Sequence, residues 1–117
     1  MKKRTLEDYG VTCTGVDDAL NLALVDALQH AMDPELGVDM LNLGLVYNIV
    51  RTPEGRFDVR MLLTQIGCPL TDYMEKMVLH ALQLIDADVD ARIQFCLQPA
   101  WSPARMSRAA RMTLGVR

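Results

Sequence analysis

Apolar residues recur along this chain in two distinct periods. Leu20, Leu24, Leu28 and Met32 follow one another at steps of four, with Val25 beside them. That spacing predicts an amphipathic helix. Thr14-Gly15-Val16-Asp17 precedes it and has the form of a capping box with Asp in place of Glu. Pro34 is expected to stop the helix by driving Asp33 out of the α region. Asp33-Pro34-Glu35-Leu36-Gly37 then reads as a turn. Leu45 to Arg51 is rich in strand formers. Thr52-Pro53-Glu54-Gly55 is a turn signal. Phe57, Val59, Met61 and Leu63 alternate with Asp58, Arg60, Leu62 and Thr64, so the two runs predict a hairpin.

The helical period returns after Pro69, a residue suited to the first position of a helix. Leu70, Tyr73, Met74, Met77, Val78, Ala81, Leu82 and Ile85 fall at steps of three and four. Ile93, Phe95 and Leu97 alternate with Gln94, Cys96 and Gln98 as a third strand. Ser102 is expected to cap a last helix, with Pro103 in its first turn and Gly115 past its end. Residues 1–13 show no period and read as a flexible or loosely docked arm. Residues 14–117 then form one domain of order α-β-β-α-β-α. Each strand has one greasy face. The expected fold is therefore α/β (α+β): a two-layer sandwich with a small mixed three-stranded sheet and helices mainly on one face. Asp58, Arg60, Leu62, Gln94 and Cys96 would occupy the other face, which is either open or paired with a second copy.

Composition narrows the function classes. The chain has 117 residues, half of them hydrophobic, with eight Met against six aromatics. A Met-rich chain of this size suits one adaptable domain, and a homodimer would add buried surface. No apolar run is long enough for a membrane span, and no apolar segment follows the basic N-terminus. The net charge of −3 hides an asymmetry: all 15 acids precede residue 101, and four of the 12 basic residues follow it. An acidic body argues against nucleic-acid binding. Arg105, Arg108 and Arg111, at steps of three, read as a solvated helix face or as a docking strip for an acidic partner.

Cys13, Cys68 and Cys96 form neither a CxxC nor a paired framework. They imply free thiols in a reducing cytoplasm. Cys68 is the sharpest candidate for chemistry. It follows Gly67 and directly precedes the proline that opens a helix, where backbone N–H groups and the helix dipole favour a thiolate. A thiolate binds soft metals or attacks electrophiles. The plain alternative is a small buried cysteine filling space. Cys13 and Cys96 lack such an activating position. Asp33 and Glu35 flank a proline beyond a helix C-terminus, where the dipole does not favour them. They either cap loop amides or ligate a hard cation.

Four segments, taken together, resemble the SufT/PaaD-like family of metal–sulfur cluster assembly proteins. They are Asp-Pro-Glu at 33–35, Leu-Gly-Leu-Val-Tyr at 43–47, Leu63-Thr64 with Gly67-Cys68-Pro69, and Pro-Ala-Trp-Ser at 99–102 before an Arg-rich helix. The resemblance spans about residues 18–115. It implies an accessory or carrier role in iron–sulfur protein maturation, without enzymatic turnover. The family's characteristic cysteine maps onto Cys68, its leading Thr onto Thr64, and its Trp-Ser/Thr onto Trp101 and Ser102. Asp33, Glu35, Thr64 and Gly67 would support the same site, while Pro34, Pro69, Trp101 and Ser102 would be structural. The family loop commonly carries a proline before the glycine, whereas Gln65-Ile66 stands here.

The implied cargo is transient iron or a cluster edge on Cys68. One thiolate cannot complete a cluster that takes four. A second copy, a partner such as the assembly machinery or an apo client, or a small thiol must therefore supply the rest. One rival is an adaptor module that binds no metal and docks through Arg105, Arg108 and Arg111. A more remote rival is a thiol enzyme in which His30 serves Cys68 as base.

Overall fold

The computed structural model describes residues 4–34, 36–63 and 71–115. Its framework is the expected hairpin, β2 (Val46–Arg51) and β3 (Phe57–Leu62), paired antiparallel through the turn in which Gly55 N donates to Thr52 O at 2.9 Å. β4 (Ala91–Cys96) adds to β3 in parallel over six residue pairs. Two helices, α1 (Asp18–Leu28) and α2 (Thr71–Gln83), bury Leu24, Leu28, Val78 and Leu82 with Phe57, Val59 and Met61 of β3 in one core. Alternation places Asp58, Arg60, Gln94 and Cys96 on the opposite face of the sheet. The mixed α/β architecture is thus the expected one. Leu62 is the exception on that face, because it is fully buried.

Five local expectations are corrected. Among the described residues the sheet has four strands, in order β1-β2-β3-β4, because β1 (Thr12–Thr14) pairs parallel with β2. Its three residues are too few to show a period. The segment expected to be a loose arm is part of the domain as far as it is described. Leu6–Tyr9 forms a 3-10 turn, and Leu6, Tyr9 and Val11 are buried in the core. Asn21 on α1 secures it: its Oδ1 accepts from Leu6 N at 2.8 Å and its Nδ2 donates to Glu7 at 2.7 Å. The capping box belongs here as well, joining Thr5 and Asp8.

The cap of α1 is Asp17, whose carboxylate accepts from Leu20 N at 2.8 Å, in place of Thr14. The helix ends at Leu28, before Pro34 could stop it. Ser102 does not cap the last helix. It precedes a 3-10 turn, Pro103–Arg105, and makes no side-chain cap bond. α3 (Arg108–Leu114) is capped by Ser107, whose Oγ accepts from Ala110 N at 3.1 Å, and Gly115 closes it in a left-handed conformation. No helix among the described residues is long and apolar enough to cross a membrane.

Candidate functional site

Three of the four singled-out segments meet at the end of the sheet where β2 begins and β3 ends. The first is the turn after α1. Asp33 accepts from Leu36 N at 3.0 Å through its carboxylate and from Gly37 N at 2.9 Å through its carbonyl. This is the Asx-type turn that the residue type favours. Met32 and Asp39 close it with an isolated antiparallel bridge. Met32, Pro34 and Leu36 stay exposed around it. Glu35 lies outside the described residues.

Asp39 opens the second segment. It is buried, and its carboxylate accepts from Asn42 N at 2.9 Å and Asn42 Nδ2 at 2.7 Å. Those bonds satisfy a carboxylate that would otherwise be costly to bury. Asn42 passes the connection to the C-terminal segment: Ser107 N donates to its carbonyl at 2.8 Å, and Ser107 Oγ donates to its side-chain oxygen.

The third segment clamps the second. Trp101 Nε1 donates to Leu43 O at 2.8 Å. Arg105 Nε donates to Gly44 O at 2.8 Å, and Arg105 Nη2 reaches Val46 O and Gly10 O, each at 3.2 Å. Its guanidinium also lies over the Tyr47 ring, 5.6 Å from the centroid. Gly44 makes this approach feasible. Its φ is +76°, and a Cβ there would overlap the Arg105 carbonyl. Burial lowers the Arg105 pKa from its ordinary value, with Tyr47 acting in the opposite sense; the group stays cationic at neutral pH.

Arg105 therefore leaves the expected arginine strip. It sits in a 3-10 turn and faces inward, whereas Arg108 is exposed on α3 and Arg111 is half-buried there. Trp101 is half-buried against the Leu43 carbonyl, and Ser102 yields the cap to Ser107. Sequence reasoning missed Asp39, Asn42, Arg105 as a clamp and Ser107. Their bonds join residues up to 95 positions apart, which no local pattern signals. A buried-looking Asp-x-x-Asn directly before Leu-Gly-Leu was the available hint.

Thr64, Gly67, Cys68 and Pro69 lie outside the described residues, so the site is bounded by its flanks. Leu62 N donates to Leu45 O at 2.7 Å, and Leu63 N donates to Cys96 O at 3.2 Å. The chain thus enters the 64–70 stretch between the second segment and the end of β4. Among the described residues, no three His, Cys, Asp or Glu side chains gather to hold a metal ion. Cys96 ends β4 half-buried, opposite Leu62. Cys13 sits on β1 opposite Ile49, and burial, aided by the Glu7 charge, pushes its thiol up to about 11. At neutral pH it is a protonated thiol, which disfavours nucleophilic attack.

Known proteins place this geometry in context. The chain is 37% identical over 101 residues to the Fe-S protein maturation auxiliary factor YitW of Bacillus subtilis, covering 86% of this chain and 99% of that protein. It is 40% identical over 85 residues to the Fe-S protein maturation auxiliary factor SufT of Staphylococcus aureus, covering 73% of this chain and 97% of that one. A crystal structure of a domain of unknown function from Bacillus anthracis superposes with a TM-score of 0.72 at 37% identity, covering 80% of this chain and 90% of that one. Residues 22–95 match the family described as iron-sulfur cluster assembly protein. That span holds the Asp33 turn, the loop clamped by Trp101 and Arg105, and the stretch with Cys68, and the chain belongs to that iron–sulfur cluster assembly family.

Proposed function

We propose that this protein is an auxiliary factor in the maturation of iron–sulfur proteins, passing iron or one edge of a cluster through the Cys68 thiolate to apo clients. It acts in a reducing cytoplasm and catalyses no turnover of its own. The observation that carries this reading is convergence. The Asp33 turn, the loop at 39–45 and the Trp101–Ser107 segment are bonded into one unit, and the chain leaves β3 for Cys68 beside Leu45. The names of the relatives support the same role. A single thiolate leaves most positions of a cluster open to a partner, which suits transfer.

The deciding experiment complements a deletion strain with wild type, Cys68→Ala or Cys68→Ser and compares iron–sulfur enzyme activities. Wild type restores them, and both variants leave them at the level of the deletion. Full rescue by Cys68→Ala would overturn the thiolate role and favour an adaptor that docks without metal. Exposed Met32, Leu36 and Met112 and the exposed Arg108 are what favour that second reading.

A further inference from the structure

The sheet face turned away from α1 and α2 carries charges that the fold leaves unanswered. The register sets Asn48, Arg60 and Gln94 in one row across β2, β3 and β4, and Val50, Asp58 and Arg92 in the next. Residues opposite one another share a face, so the two rows lie side by side. Arg60, Arg92 and Gln94 are exposed there, and Asn48 is half-buried.

The acids at hand are already engaged. Asp58 stands directly opposite Arg92, yet its two carboxylate oxygens accept from Arg56, at 3.0 and 3.3 Å. Asp90 shares the face by alternation, and it acts on Arg56 by charge, as does Glu54 in the hairpin turn. Among the described residues the Arg60 and Arg92 side chains have neither an ion pair nor a hydrogen bond. Asn48 spends its Nδ2 on Thr12, at 2.8 Å to the hydroxyl and 3.1 Å to the carbonyl, and keeps Oδ1 as an acceptor.

The spacing of the two free guanidinium groups has a natural match. Arg60 and Arg92 lie on a diagonal between neighbouring strands. A strand separation of about 4.8 Å and a two-residue rise of about 6.6 Å put their Cα atoms about 8 Å apart. Alternate side chains of an extended peptide repeat at about 6.8 Å, which two long arginine side chains can meet. A guanidinium fork fits a carboxylate in particular.

We propose that this face docks an extended acidic segment of a partner protein, with carboxylates at positions i and i+2 on Arg60 and Arg92 and its backbone bonded by the amides of Asn48 and Gln94. Charge selects this occupant over a nucleic acid. The patch is locally basic, but the whole chain carries −3, which repels a long polyanion. The two rows also hold no aromatic ring on which a base could stack. β3 and β4 both run toward the end that leads to Cys68, so a segment held here lies on the approach to it. The surface itself does not depend on the role assigned to Cys68.

Amide NMR of the full chain, titrated at low ionic strength with a peptide alternating Glu and Ser, tests this. Saturable shifts are expected at Asn48, Arg60, Arg92 and Gln94, and added salt should weaken the binding. Arg60→Gln combined with Arg92→Gln should weaken it about tenfold, the effect of losing two exposed charge pairs, with an unchanged circular dichroism spectrum. Arg108→Gln on α3 should leave it unaltered. A peptide of the same composition built as Glu-Glu-Ser-Ser repeats has no acids at i and i+2, and should bind less tightly. Four results would each overturn the proposal: no saturable shifts, shifts centred on α3, binding indifferent to the double variant, or equal binding of the two peptides. Single-stranded DNA that shifts the same residues at lower concentration than the peptide would overturn it in favour of a nucleic-acid surface.

Discussion

The helix-covered centre of the sheet and the end holding the singled-out segments are stabilised by different physics. The centre is apolar: Phe57, Ile49, Met61, Leu24 and Leu82 are sealed from water and define position by shape. The end is polar: Asp39, Asn42, Trp101, Arg105 and Ser107 hold a seven-residue loop largely through bonds to backbone atoms. Hydrophobic burial is non-directional and tolerates volume-conserving exchange. Bonds to carbonyls fix where a backbone runs. An element that must present a turn and a cysteine-bearing stretch to a partner gains more from the second kind. Mutations should therefore separate the two regions by both size and locality.

The largest effect is expected at the centre. Phe57→Ala leaves a cavity in the core and should lower unfolding free energy by about 3–5 kcal/mol. Denaturant unfolding checks this, and a loss near that of a surface substitution would refute the division. Next comes Gly44→Ala at the clamped end. Its positive φ and its overlap with the Arg105 carbonyl should together cost about 3 kcal/mol. Hydrogen exchange should show the loss concentrated at residues 39–46 and 101–107, in contrast to the global loss at Phe57.

A smaller effect distinguishes two serines. Ser107→Ala removes the cap of α3 and the bond to Asn42, and should cost about 1–2 kcal/mol. Ser102→Ala removes no side-chain cap bond and should cost under about 0.5 kcal/mol. Equal losses would return the cap to Ser102.

A last effect, confined to alkaline pH, is set by Cys13. Its thiol titrates near 11 in the folded chain against an ordinary 9.0. Between those values the unfolded chain releases a proton that the folded chain keeps, so stability falls as pH rises from 9 to 11 and is unaffected below. Cys13→Ala should flatten that slope. Alkylation of Cys13 near neutral pH should also run slower than that of an ordinary exposed thiol.

The contrast also explains what the sequence could reveal. The hairpin was legible because Thr52-Pro53-Glu54-Gly55 and its flanking alternation are local. α2 was legible from its apolar stripe. β1 was not, since a three-residue strand has no period and its partner lies about 35 residues away. The end of α1 was misplaced because Met32 continues the stripe past the point where the backbone turns toward the Asp39 bridge. Arg105 looked like a member of a surface strip, because spacing reports a face only where a helix exists. Trp101 stood out only as part of Pro-Ala-Trp-Ser, and its Leu43 partner awaited the fold. The segments clustered at the site were visible as words, but the bonds joining them were not.

The Arg105–Gly10 contact also bears on the order in which the chain is made. Synthesis begins at the N-terminus, and Leu6 can dock as soon as Asn21 is present on α1. The pairing of β1 must wait for β2, and the carbonyl of Gly10 receives its guanidinium donor only once residue 105 has been added. Residues 5–14 therefore acquire their partners in three instalments spread over nearly the whole length of the chain. A nascent chain stopped after β4 would hold the sheet and both large helices, yet still lack the group that ties Gly10 to the loop beside the site.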